Sequence, residues 1–134
     1  MPYRPPRNRR LGHRRDARQR FDRLVEEALA EIPERFRPYL ERVAIVVEDW
    51  PDEQDLAAMG IPPDDTIFGL HRGPPVGYSD GMTAPSIIAI YRGPIEEACE
   101  TDAEIRREVR TTVLHEVGHF FGMSEEDLAR LGLA

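Results

Sequence analysis

His115-Glu116-Val117-Gly118-His119-Phe120-Phe121-Gly122-Met123-Ser124-Glu125 is the stretch from which the rest of the chain is best read. On an α-helix, residues four apart differ by about 40° in azimuth, so His115 and His119 project from one side and can reach a single ion. A carboxylate directly after the first histidine is the general base of zinc hydrolases; Glu116 would take a proton from metal-bound water and pass it to the leaving amine. A bare H-E-x-x-H is too short to decide anything alone, so its surroundings have to agree.

They do agree. Upstream, Ile105, Val109, Val113, Val117 and Phe121 recur every four residues, the apolar stripe of one long helix. Thr101 or Asp102 suits its N-cap, and Asp102 and Glu104 suit the positive end of its dipole. From Val113 to Phe121 nearly everything outside the motif is apolar, which predicts a buried second half. Buried imidazoles and a buried carboxylate need partners, and a metal supplies them. Gly122 stands where a C′ glycine ends a helix, so the chain can turn and bring a residue three positions on back toward the ion.

Few residues follow His119, so downstream third ligands reduce to Glu125, Glu126 and Asp127, with Glu125 in the favoured slot. Ser124-Glu125-Glu126-Asp127 also reads as an N-cap followed by first-turn acids of a terminal helix, and the two roles are compatible. Upstream alternatives are His71, Asp80 and Cys99. His71 reads more simply as a strand-end histidine facing solvent or a neighbour, Asp80 as a turn residue and Cys99 as a small buried apolar side chain. Two imidazoles and one carboxylate suit Zn2+ and leave its fourth position open.

Ahead of this helix the pattern is mixed. Residues 1–15, rich in Pro and Arg, read as a flexible arm, and residues 16–134 as one domain. Phe21, Leu24, Val25, Ala28, Leu29 and Ile32 place a helix from about Asp16 to Ile32, stopped by Pro33. Val43 to Val47 is a β-branched run that reads as a buried strand, Asp52 to Met59 as a short helix, and Thr66 to Arg72 as a second strand. Ser86 to Tyr91 makes a third strand and Pro94 to Glu100 another short helix. The fold class is α+β, a small mixed sheet with the active helix packed on one face. Ser86–Tyr91 is either the strand whose edge aligns an extended substrate or plain sheet interior. The Gly- and Pro-rich segment from Gly73 to Pro85 would roof the cleft. Tyr78 and Tyr91 are candidates to stabilise an oxyanion, or else half-buried packing tyrosines.

The run His115 to Leu128, together with Ile90-Tyr91-Arg92-Gly93-Pro94-Ile95, resembles the bacterial minimal zincin-like metallopeptidase family, small single-domain proteins with an H-E-x-x-H-x-x-G-x-x-[DE] motif near the C-terminus. The resemblance extends from about Phe21 onward. It implies a zincin-type α+β fold, bound zinc and peptidase activity, with the methionine turn of metzincins missing, since Met123 lies inside the motif.

Composition bounds the alternatives. Hydrophobic residues at 40% and charged ones at 32% are ordinary for a globular domain, which excludes a disordered or fibrous chain. No apolar run reaches the ~18 residues that would span a bilayer. A single cysteine allows no intrachain disulfide, and the expected compartment is the cytoplasm. Residues 1–23 carry nine arginines against Asp16 and Asp22, a net of +7, so the remainder carries −14 to give the chain's −7. The arm can therefore hold phosphates of a nucleic acid or an acidic protein surface; the stronger reading is a solubilising tail, or one that folds back on its own acidic body. The expected partner is a peptide or protein substrate, with no membrane. Three functions compete: a zinc metallopeptidase with Glu116 as general base, a zincin-shaped binding or regulatory protein with little catalysis, and a metal-dependent ribonuclease. The last would want histidine where Glu125 stands.

Overall fold

The structure is a computed structural model and describes residues 7–58, 60–61, 67–73 and 86–130, with the side chains of residues 7–15 and 125 outside that description. Its elements are α1 (Arg7–Ala30), a 3-10 turn (Glu34–Phe36), α2 (Arg37–Leu40), β1 (Val43–Glu48), α3 (Glu53–Ala58), β2 (Gly69–Arg72), β3 (Ser86–Tyr91), α4 (Arg92–Ala98), α5 (Asp102–Phe120) and α6 (Glu125–Arg130). This is the expected α+β arrangement. No described helix is long and apolar enough to cross a membrane.

The three strands form one mixed sheet in the order β1-β3-β2. β1 runs parallel to β3, from Val43 opposite Ser86 to Glu48 opposite Tyr91, and β2 runs antiparallel to β3, from Gly69 opposite Ile90 to Arg72 opposite Ile87. Ser86–Tyr91 is therefore sheet interior; among the described residues the edge strands are β1 and β2, and β2 is the one that lies against α5. The β1 run differs from expectation too. Its residues are half-buried or exposed, because it is an edge strand, whereas β3 is buried along nearly its whole length. A near-continuous apolar run needs neighbours on both sides to be fully enclosed, and only β3 has them.

One face of the sheet carries the main core. Ile88 and Ile90 meet Val109, Val113 and Val117 of α5, and beyond them Phe21, Leu24, Val25 and Ala28 of α1. The four-residue stripe of α5 thus packs as its spacing predicts. Helix α1 begins at Arg7, well before Asp16, so helical backbone enters the segment expected to be a flexible arm. Arginine propagates a helix well, and Pro6 in the sequence marks where it has to start. Farther along α1, Arg18 pairs with Asp49 and Arg20 with Asp102, both on the acidic body.

The opposite face holds Leu70, Ala89 and Tyr91 and a polar clamp. Arg72 donates to both carboxylate oxygens of Glu48 at 2.7 Å and to Asp55 at 2.8 Å, while the Tyr91 hydroxyl donates to Asp55 at 3.0 Å. One guanidinium thereby ties all three strands and α3 together. Burial alone would push the Asp55 carboxyl up, but hydrogen bonds from Arg72 and Tyr91 outweigh it and hold the group below its ordinary value. A carboxyl depressed on folding contributes stability above its unfolded pKa and loses that contribution as pH falls. Arg72→Met is therefore expected to cost about 1–3 kcal/mol near pH 7. The gap between wild type and variant should shrink toward about pH 3, as read from urea midpoints; a pH-independent gap would assign the loss to packing alone.

Candidate metal centre

Helix α5 starts as its sequence requires. Thr101 is the N-cap, its hydroxyl accepting from the Glu104 N–H at 3.1 Å, and Asp102 and Glu104 lie in the first turn. Its far end closes with the Met123 N–H donating to the Gly118 carbonyl at 2.8 Å and the Gly122 N–H to the His119 carbonyl at 3.0 Å. Gly122 has φ +79°, so this is a Schellman turn with glycine in the left-handed position. The turn reverses the chain into α6, which begins at Glu125.

The two histidines of the motif stand together. Their ring centroids are 4.6 Å apart, with the planes tilted by 36°. His115 is half-buried and His119 exposed, so the pair opens toward the surface. Between them Glu116 is buried, and its Oε1 accepts the backbone N–H of His71 at 3.0 Å. Phe68 and Leu70 use their backbone groups toward β3, as the Tyr91 N–H to Phe68 carbonyl bond at 2.9 Å fixes the antiparallel register. Gly69 and His71 consequently present theirs to the free edge of the sheet. The glutamate of the motif sits on that edge.

His71, the upstream alternative ligand, does face a neighbour. Its ring lies against Phe120, centroids 5.0 Å apart. Its Nε2 is buried with no hydrogen-bond partner among the described residues. Burial first, then the nearby imidazole of His119, lowers its pKa. A buried imidazole nitrogen without a described partner, together with the adjacent rings of His115 and His119, is donor chemistry of the kind a zinc ion takes, although the described residues do not themselves complete a ligand set.

The third ligand is a separate matter. Among the described residues, no group of three or more His, Cys, Asp or Glu side chains is arranged to hold a metal. The side chain of Glu125 lies outside the described residues, as do Tyr78 and Asp80. Asp127 is already committed: its Oδ2 accepts the Ser124 N–H while the Ser124 hydroxyl accepts the Asp127 N–H, both at 3.1 Å, and its Oδ1 takes Arg130 at 2.8 Å. This reciprocal capping box satisfies the start of α6 without Glu125. Cys99 is half-buried at the edge of the main core, and burial raises its thiol pKa. Tyr91 lies on the face opposite α5 with its hydroxyl bound to Asp55, which removes it as an oxyanion donor.

Beside the histidine pair a cavity of about 370 Å³ runs between β2 and α5. Ile67, Phe68 and Gly69 form one wall, and Thr112, His115 and Glu116 the other. A Cβ on Gly69 would lie 2.5 Å from Thr112 Cγ2, so glycine is what lets the strand approach the helix this closely. Sequence reasoning missed this wall. The available signal was the alternation of Gly69 and His71 with Leu70 and Arg72, which assigns the first pair to the helix face.

The sequence profile of the zincin-like metallopeptidase family matches residues 40–133, and the chain belongs to that family. No curated protein matches the chain. Among solved structures, a conserved hypothetical protein from Thermus thermophilus is 26% identical, covering 84% of this chain and 97% of that one, with a TM-score of 0.49.

The motif glycine has its own structural task. A Cβ on Gly118 would lie 2.3 Å from Cδ2 of Leu128, which is fully buried and docks α6 on α5. Gly118→Ala is expected to cost about 1–3 kcal/mol by overpacking. The Gly118→Ala/Leu128→Ala double variant should then be no less stable than Leu128→Ala alone. Additive losses in a thermal-unfolding cycle would show that the two residues do not collide.

Proposed function

We propose that this member of the zincin-like metallopeptidase family hydrolyses peptide bonds at the groove between β2 and α5, with His115, His119 and Glu125 as zinc ligands and Glu116 as general base. The observation that carries the reading is the placement of Glu116. Its carboxylate is buried in the groove wall, next to the paired imidazoles, and is oriented by the His71 N–H at 3.0 Å. A carboxylate held this way needs no reorganisation before it accepts a proton.

Zinc, when bound, supplies a Lewis acid that polarises a carbonyl and brings the pKa of water toward neutrality. Glu116 takes a proton from the attacking water and returns it to the departing amine nitrogen. His115 and His119 offer ring nitrogens from adjacent turns. Glu125, as the first residue of α6, brings the third donor; the Schellman turn and the Gly118–Leu128 contact support that role because they hold α6 against the end of α5. The outward backbone groups of Gly69 and the outward carbonyl of His71 pair with an extended substrate, the His71 N–H being held by Glu116, and this is the role expected from sequence for Ser86–Tyr91.

Of the competing functions, ribonuclease activity gains nothing from the structure. Arg18 and Arg20 of the basic segment are engaged by Asp49 and Asp102 of the chain itself, and Glu116 would have no task in that chemistry.

His115→Ala and His119→Ala are expected to abolish stoichiometric zinc in metal analysis. Glu116→Gln should retain zinc and lose hydrolysis of a denatured protein or peptide pool by about 10²–10⁴-fold. A zinc-loaded Glu116→Gln protein with undiminished activity would remove Glu116 from the mechanism.

A further inference from the structure

The groove does not end at the histidine pair. It continues along α5 to Glu108, whose carboxylate lines its far end. Two contacts set its direction: Gly69 packs at Thr112, and the His71 N–H meets Glu116. One helical turn back from Thr112 is Glu108, and two strand residues back from Gly69 is Ile67. The strand and the helix therefore run side by side, and an extended chain lying between them passes Glu108.

Among the described residues no basic side chain forms an ion pair with Glu108. Arg106 and Arg110, its neighbours on α5, reach instead toward Glu27 and Glu31 of α1. Arg107 is exposed to solvent. The Thr112 hydroxyl, 3.5 Å from Oε1, is a weak companion for a carboxylate. The chain beyond residue 23 is strongly acidic. The Cys99 thiol is pushed up by burial and then by Glu108 and Glu104, which outweigh the opposing effect of Arg107. Opposite Glu108, Phe68 and Ile67 offer half-buried apolar surface.

From this juxtaposition we infer that Glu108 is a specificity-determining residue, selecting peptides with an arginine or lysine about three residues from the cleaved bond, on the side nearer the start of α5. The assignment rests on the peptidase reading above. The spacing follows from geometry: seven helical residues separate Glu108 from His115, roughly 10 Å, and three extended peptide residues cover roughly the same length. The aliphatic stem of the basic side chain lies along Phe68 and Ile67 while its charged head reaches the carboxylate.

The test uses fluorescein-labelled octapeptides of Ala, Leu and Gly in which a single Lys, Ala or Glu is walked through every position. Binding is measured by anisotropy on zinc-loaded Glu116→Gln protein, and cleavage on the zinc-loaded wild type. One position is expected to favour Lys over Glu by about fivefold or more, the size of a half-exposed ion pair. Added salt should weaken the preference. Glu108→Gln should bring the ratio near one, and Glu108→Arg should reverse it. A Lys preference that persists in Glu108→Gln, binding without preference, or no binding by any peptide would each overturn the assignment. If Glu108-dependent binding is found but no peptide is cut by zinc-loaded protein, the groove's selectivity stands and the peptidase reading falls.

Discussion

Thr112 and Glu116 stand one turn apart on α5, while Gly69 and His71 stand two residues apart on β2. One helical turn rises about 5.4 Å and two strand residues advance about 6.7 Å, so the two elements stay in step over a short span. Gly69 contributes no side chain, so β2 can close on Thr112, and the next outward N–H then falls on the Glu116 carboxylate. This lateral contact between a helix and a sheet edge is the constraint on which the groove, the orientation of the glutamate and the approach of an extended chain all depend. A side chain at residue 69 would force the edge away and leave a buried carboxylate without its donor.

The rest of the fold holds those two elements at that distance. β3 is clasped on both sides, its Ile88 and Ile90 giving α5 a buried floor. Helix α1 covers the outer side of α5 and is fastened at its rim by Arg20–Asp102 and by Glu31 with Arg106 and Arg110. Such exposed pairs add little stability each; their effect is to commit Arg106 and Arg110 of α5 to α1. On the far face, Arg72 joins Glu48, Asp55 and Tyr91, so the residue after His71 is anchored on the side opposite the site. Alternation along β2 thus sends the His71 ring to Phe120 of α5 and Arg72 to the clamp.

Arginine is the chain's whole cationic complement, and its placement divides the molecule. The basic stretch is confined to the start, and two of its arginines, Arg18 and Arg20, meet carboxylates of the body. The groove is left with Glu108 and Glu116 and no described cation beside them. On the proposed reading, an acidic, apolar-walled slot next to two imidazoles suits a basic or neutral chain better than a polyphosphate.

Periodicity within a single segment was readable from residue order. The stripe Ile105, Val109, Val113 and Val117, the Thr101 cap, the stop at Gly122 and the shared side of His115 and His119 all follow from about 3.6 residues per turn and from which residues satisfy a helix end. Those are contacts between near neighbours in the chain, and the folded structure kept every one. Pairing between distant segments was not readable in the same way. Nothing in Ser86–Tyr91 or Val43–Glu48 announces which strand lies in the middle, because both are short apolar runs and only the sheet order separates them. The same holds for His71 meeting Glu116, Tyr91 turning to Asp55, and Asp127 rather than Glu125 closing the cap of α6. Each depends on where a chain many residues away, or a competing neighbour one position along, comes to rest after the core has closed.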